Sequence, residues 1–329
     1  MLGCSGGGEM MPYCIALIAL SAVGAPNPAP GAAAPAAKTQ AAPKPDPASK
    51  IPPDVELIKD VAYSRDGHKA HVLDILRPKK LPKDPMPVLV FIHGGGFTGG
   101  DKTAGYAHLA RFAKRGYFCA TINYRSANEA HFPAQLQDCK CAIRFLRAHA
   151  KQYNLDADHI GVWGASAGGN LVAMLGVTGG IAEFEGDGGW QDQSSRVQAV
   201  VDYYGMTDFM AIDELVKQGK ATERFMRRDG STSISHLLGV EKWWEHPDLC
   251  RKASPTTYVS KDDAPFAIFH GDLDPLTNHE QSELLNERLR AAGVESDFYL
   301  VKGGKHGWGA RPDVDEKVDA FLDKHLKRH

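Results

Sequence analysis

The sequence predicts an α/β fold: a mostly parallel, eight-stranded sheet with helices on both faces. Three observations predict it. Short apolar runs alternate with helix-length amphipathic stretches, the pattern of strands joined by crossover helices. Runs such as Val88-Leu89-Val90-Phe91-Ile92 are apolar without alternation, as strands buried on both faces are. Finally, Gly164-Ala165-Ser166-Ala167-Gly168 lies between one such run and a helical stretch, the strand–turn–helix setting that a G-x-S-x-G motif needs.

In chain order, strand-like runs start near Val55, His71, Val88, Phe118, Ile160, Val197, Phe266 and Asp297. The first two have no helix between them and are expected to pair as an antiparallel hairpin at the sheet edge. Phe132, Leu136, Cys139, Ile143 and Leu146 form an apolar stripe that predicts a helix over 132–150. Ile160-Gly161-Val162-Trp163 reads as a buried strand, and Asn170 to Leu175 as the helix after it. Phe266 to His270 reads as a strand, followed by a helix with Leu284, Leu285 and Leu289 on one face. Asp297 to Val301 is the last strand, and Val314, Val318, Phe321, Leu322 and Leu326 mark a C-terminal helix. Two inserts interrupt this alternation. Residues 179–195 are rich in glycine and acids; residues 208–252 carry Phe209, Phe225, Met226, Arg227, Arg228, Trp243 and Trp244.

Bulk properties narrow the function classes. The chain has 329 residues, about 275 of which read as one globular domain over 54–329. Its 38 Lys and Arg against 40 Asp and Glu give a net charge of −2, so there is no basic field to hold nucleic acid. Residues 1–25 contain the apolar run Ile15 to Leu20 and the small residues Ser21 to Ala25, as a secretory signal peptide does, although Glu9 and the lack of Lys or Arg before that run depart from the pattern. The run is too short for a stable membrane span. Residues 26–53 are rich in Ala and Pro and are expected to form an extended linker. There is no H-E-x-x-H motif and no paired C-x-x-C, so no metal site is expected. Cys139 and Cys141 lie two positions apart on a helix and cannot face the same way. Nothing in the sequence sets the oligomeric state.

Ser166 alone would be explained by an ordinary helix N-cap. The residues after it carry the stronger reading. A serine hydroxyl is a poor nucleophile unless a base takes its proton and an acid orients that base. Downstream, the strand ending at His270 opens into Gly271-Asp272-Leu273-Asp274-Pro275, and the strand ending at Val301 opens into Gly303-Gly304-Lys305-His306-Gly307. An acid and a histidine thus follow strands in the order Ser, Asp, His. Asp272 and Asp274 both qualify as the acid, one of them being free to cap the next helix. His93 and His270 read as structural. Upstream, His93-Gly94-Gly95-Gly96-Phe97 follows the Val88 strand, and its glycines let backbone N–H groups turn toward a substrate oxygen, with the Ala167 N–H as a further donor.

These segments resemble the α/β-hydrolase carboxylesterases of the hormone-sensitive-lipase-like group, and within it the small bacterial secreted acetyl and feruloyl esterases. The resemblance is carried by His93 to Phe97 with Gly100-Asp101-Lys102, by Asn123-Tyr124-Arg125, Phe132-Pro133-Ala134-Gln135 and Asp138, by Gly164 to Gly169, Ser254-Pro255, His270 to Asp274, and Gly304-Lys305-His306-Gly307. It covers the chain from about residue 54 onward. It implies Ser166 as nucleophile, Asp274 as the acid, His306 as base, and Gly95, Gly96 and Ala167 as oxyanion donors. It implies no cofactor, and a small-molecule or glycan ester as substrate. Because ligands of α/β sheets bind at the carboxyl ends of strands, the 208–252 insert after Asp202-Tyr203-Tyr204-Gly205 is expected to act as a lid or acyl-pocket wall. Phe97, Trp243 and Trp244 are the expected substrate contacts. A peptidase or amidase of the same fold, and a non-catalytic binding protein on this scaffold, are the alternatives. The second of these characteristically lacks the base that His306 supplies here.

Overall fold

The computed structural model describes residues 46–218 and 232–328. The expected leader at 1–25, most of the expected linker, and the insert residues Phe225, Met226, Arg227 and Arg228 lie outside the described residues. The strands are β1 (Val55–Ala62), β2 (Val72–Pro78), β3 (Met86–Ile92), β4 (Phe118–Ile122), β5 (Leu155–Ala165), β6 (Ala199–Tyr203), β7 (Phe266–Gly271) and β8 (Ser296–Val301). They form one sheet in the order β1-β2-β4-β3-β5-β6-β7-β8. β1 pairs antiparallel with β2, and β2 with β4; the remaining neighbours are parallel. The predicted edge hairpin is therefore present.

The helices are α1 (Tyr106–Lys114), α2 (Ala134–Ala148), α3 (Ala150–Tyr153), α4 (Ala167–Val177), α5 (Phe209–Lys217), α6 (Ser233–Leu238), α7 (Pro247–Lys252), α8 (Glu280–Ala291) and α9 (Pro312–Leu326). They cover both faces, and the period-2 geometry of a strand divides each central strand between two cores. Val88, Val90 and Ile92 join Leu136, Ile143, Leu171, Leu175, Leu285 and Leu289 under α2, α4 and α8. Leu89 and Phe91 join Leu109, Phe112, Trp163, Val318 and Leu322 under α1 and α9.

Two boundaries differ from the sequence expectation. β5 starts at Leu155 rather than near Ile160. The polar run Asp156, Asp158 and His159 hides this extension, because Asp156 is buried by its bonds to His159 Nδ1 at 2.9 Å and Arg328 Nε at 2.7 Å. The fold also begins before residue 54. Pro47–Lys50 forms a 3-10 turn whose Ala48 N–H donates to Asp46, and Ala48 and Ile51 pack on the α1/α9 core. Cys119, Cys139, Cys141 and Cys250 are buried and unbridged.

Candidate active site

In-register pairing sets the site. Ile92 pairs with Gly164, Gly164 with Asp202, and Gly271 with Val301, so the carboxyl ends of β3, β5, β7 and β8 lie along one edge of the sheet. The glycine run, Ser166, the Asp272–Asp274 loop and His306 all follow these ends.

Ser166 turns the chain from β5 into α4 with φ 56° and ψ −118°, a backbone conformation that is costly with a side chain. The flanking glycines exist because of that turn. A Cβ on Gly164 would stand 2.2 Å from the Gly168 carbonyl oxygen, and one on Gly168 would stand 2.1 Å from the Ile92 oxygen. The Ser166 N–H donates to the Tyr203 carbonyl at 2.9 Å, which ties the turn to β6.

A continuous hydrogen-bonded chain runs from this serine. Ser166 Oγ lies 2.9 Å from His306 Nε2, and His306 Nδ1 lies 2.8 Å from Asp274 Oδ2. Asp274 Oδ1 accepts the N–H groups of Leu276 at 2.7 Å and Thr277 at 3.1 Å. Burial opposes the charged form of Asp274, but bonds from His270, His306 and the Leu276 N–H outweigh it and hold its carboxyl well below the usual range. Asp272, the competing acid, instead accepts the Gly303 N–H at 2.7 Å and so pins the loop that carries His306.

Both histidines read as structural from sequence hold neighbouring loops. His270 is fully buried. Its Nε2–H donates to the Thr277 carbonyl at 2.8 Å and its Nδ1 accepts from Ser282 Oγ at 2.7 Å. The same Nε2 stands 3.2 Å from Asp274 Oδ2, so His270 also braces the acid. His93 bonds the Gly94 carbonyl through Nδ1 at 2.7 Å and stacks on Tyr124 at 4.5 Å, while burial pushes its pKa down and keeps the ring neutral. The loop it holds is tight: Gly95 (φ 118°) turns its carbonyl toward the N–H groups of Thr98 and Gly99, and a Cβ there would stand 2.2 Å from the Gly99 oxygen.

Gly95, Gly96 and Ser166 line a cavity of about 1120 Å³ together with Thr98, His108, Tyr204, Met206, Thr277 and His306. Ala167 is the first residue of α4, where an N–H has no acceptor within its own helix. The 208–252 insert reaches this cavity through Thr232, Ser233 and His236. It does not do so through the residues expected from sequence. Trp243 is fully buried in the core it shares with β3 and α4, and it packs edge-on against the partly buried Trp244 at 5.8 Å. Phe97 is fully buried too, with φ 63°, and packs inward from the glycine loop. Large apolar rings gain most from burial, so Trp243 and Phe97 fill core and Trp244 packs against it, and none of the three lines the cavity. Sequence reasoning missed Tyr204, whose ring centroid lies 4.6 Å from that of His306. Its signal was its place directly after the end of a parallel strand.

Behind the serine turn, Asp202 is fully buried at the end of β6. Its Oδ1 accepts the Gly205 N–H at 3.0 Å, and its Oδ2 and the Asn170 Oδ1 are both without a partner among the described residues. Burial raises Asp202 from 3.8 to about 7. Since the folded state then holds a proton that the unfolded state releases, this group stabilises the fold at low pH, and that stabilisation declines as pH rises from about 4 to about 7. The span corresponds to on the order of 4 kcal/mol. Asp202→Asn keeps the shape without the proton. Across melts from pH 5 to 8, wild type is expected to lose stability relative to this variant as pH rises; a pH-independent difference would show that Asp202 is ionised throughout.

No helix among the described residues is long and apolar enough to cross a membrane. The BD-FAE family model matches residues 73–289. Esterase LipC of Mycobacterium tuberculosis is 33% identical over 250 residues, covering 75% of this chain and 59% of that protein. Esterase LipQ of the same organism is 29% identical, with 75% and 56% covered. The chain thus spans a little over half the length of these curated relatives. Among solved structures, a truncated carbohydrate esterase from gut microbiota superposes with a TM-score of 0.73 at 33% identity, covering 82% of this chain and 96% of that one. A bifunctional GH43-CE protein of Bacteroides eggerthii gives 0.71 at 29% identity, covering 82% and 35%. Esterase Est2 of Thermogutta terrifontis, with propionate bound, gives 0.63 at 23% identity over 84% and 97%, and shares the fold.

Proposed function

The chain belongs to the BD-FAE family of α/β-hydrolase carboxylesterases, and from that membership we propose that it hydrolyses short acyl or hydroxycinnamoyl esters carried by plant polysaccharide. The observation that supports this reading is the unbroken Ser166–His306–Asp274 hydrogen-bonded chain at the wall of the large cavity. His306 Nε2 accepts the hydroxyl proton as Ser166 Oγ attacks the ester carbonyl carbon. Asp274 holds the Nδ1 proton in place and stabilises the imidazolium that forms. The N–H groups of Gly95, Gly96 and Ala167 take the negative charge of the tetrahedral intermediate, each such donor contributing about 2.7–4 kcal/mol to barrier lowering. The imidazolium then protonates the departing alcohol. Water, deprotonated by His306, attacks the acyl-enzyme and releases the acid.

The polysaccharide part of the proposal draws on the two carbohydrate-esterase neighbours and on the cavity wall. Thr98, Ser233, His236 and Thr277 offer hydrogen-bonding groups suited to a hydroxyl-rich alcohol. A cavity of about 1120 Å³ also leaves room for an aromatic acyl group. Export from the cytoplasm belongs to the same reading, on the strength of the apolar run at 15–20 and the small residues at 21–25. The test is turnover of acetyl, butyryl and feruloyl esters and of acetylated and feruloylated xylan by the purified chain. Faster release from the xylans than from simple alkyl esters of the same acids is expected. Turnover of small esters with no release from either xylan would overturn the polysaccharide reading. Absence of turnover on every ester would overturn the enzyme reading.

A further inference from the structure

The glycine- and acid-rich insert at 179–195 has no part in the chemistry above. It closes over a second cavity of about 260 Å³. This cavity lies where α4 has ended and β6 is about to begin, at the amino edge of the parallel strands and so across the sheet from Ser166. We propose that it is a binding site for a small oxyanion, a carboxylate or phosphate group, held by Arg144 and Arg196.

Three observations support the assignment. The first is an uneven charge balance. Lys140 and Arg144 are 0% and 1% exposed, and both bind one carboxylate, that of Glu185, at 2.9 and 2.7 Å. Two buried cations against a single carboxylate leave an excess of positive charge where the dielectric is low, and a second anion would offset it. Glu185 is the sole acid among the described residues lining the cavity, while Arg144 and Arg196 both line it.

The second observation is an orphaned donor. Arg144 Nε donates to the Gly189 carbonyl at 3.1 Å, and Nη1 donates to the Glu185 backbone and side chain at 2.8 and 2.7 Å. Its Nη2 is buried with no partner among the described residues. A buried guanidinium N–H left unpaired is costly, and an oxyanion is its natural partner. By contrast, Lys140 Nζ is saturated by the Thr178 carbonyl at 2.7 Å, Glu185 Oε1 at 2.9 Å and Ser195 Oγ at 3.2 Å. The guanidinium is thus the buried cation whose hydrogen bonds are left incomplete.

The third observation is the shape and rim. Gln191, Gln193 and Ser194 border the cavity with further polar groups, and the exposed Arg196 stands at its mouth. The volume is that of about nine waters, enough for a small carboxylic acid or a phosphate.

The experiment is melting of the full chain at constant pH and ionic strength in chloride, with acetate or inorganic phosphate titrated in. A saturable rise in Tm with one of them, beyond that in chloride, is expected, since a ligand bound only by the folded state stabilises it by mass action. Which of the two acts best separates a carboxylate ligand from a phosphate one. Arg144→Gln is expected to abolish the rise. Arg196→Gln, which leaves the buried network intact, is expected to raise the half-saturating concentration about tenfold by removing one charge-assisted contact. No effect of either anion beyond chloride would overturn the proposal. So would a rise that both variants retain, since that places the anion elsewhere, the Ser166 cavity included. If Arg144→Gln does not fold, the Arg196→Gln titration decides.

Discussion

Ser166→Ala is expected to lower kcat on an acetyl ester by about 10⁶-fold, the cost of losing the nucleophile in a serine triad. His306→Ala is expected to cost nearly as much, and the double variant little more than either alone, because in the proposed mechanism Oγ and Nε2, 2.9 Å apart, work as one proton-transfer unit. The fold is expected to survive. The Ser166 N–H bond to Tyr203 belongs to the backbone and persists in the variant. A companion substitution separates chemistry from strain. Ser166→Gly is expected to be as inactive as Ser166→Ala, yet more stable by about 1–3 kcal/mol, since glycine accepts φ 56° without the side-chain cost. Activity that survives Ser166→Ala would remove the proposed mechanism. Equal melting of the two variants would mean that the turn is not strained.

The second large effect distinguishes the acids. Asp274→Asn is expected to reduce kcat about 10⁴-fold, because an amide at this position no longer secures the imidazole in the tautomer whose Nε2 accepts a proton. Asp272→Asn is expected to retain activity within about tenfold, since its Oδ1 serves the Gly303 N–H and not the imidazole. The two lie two residues apart on one loop, so measuring kcat for both tests the assignment directly. A larger loss from Asp272→Asn than from Asp274→Asn would reverse it. Stability offers a second readout. The Asp274 carboxyl lies below its usual range in the fold, so its contribution is present at neutral pH and is lost as pH falls through the folded value. Asp274→Asn is therefore expected to flatten the acid limb of the stability profile.

Much of this was legible in the residues because local rules decided it. Gly164, Gly168 and Ser166 declare a strained strand-to-helix turn, since backbone oxygens at 2.2 and 2.1 Å leave no room for a Cβ. Apolar runs without alternation declare strands covered on both faces, and Val90 and Phe91 do face opposite cores. The order of serine, acid and histidine after successive strand ends follows from parallel topology, which gathers those ends at one edge. What local rules did not decide were contacts between distant segments. Asp272 and Asp274 have similar sequence surroundings; only the arrival of His306, 32 residues later, separates them. Trp243 and Trp244 have the composition of a ligand wall, yet the fold gives them a core to fill, and the small polar Ser233 and His236 face the cavity instead. Asp202 reads as one more strand-end acid, and burial by α4 and the Gly205 turn makes it a group that gains from keeping its proton. Arg144 reads as one charge on a helix, and only the closure of the 179–195 insert over it leaves a buried guanidinium N–H without a partner on a residue that lines a cavity. The sequence by itself determined the sheet, the serine turn and the order of Ser166, Asp274 and His306, because steric limits and hydrophobic periodicity act over a few residues. The tertiary structure alone decided which acid meets His306, what lines the cavity and which buried charges remain unbalanced, because these depend on side chains brought together from segments far apart in the chain.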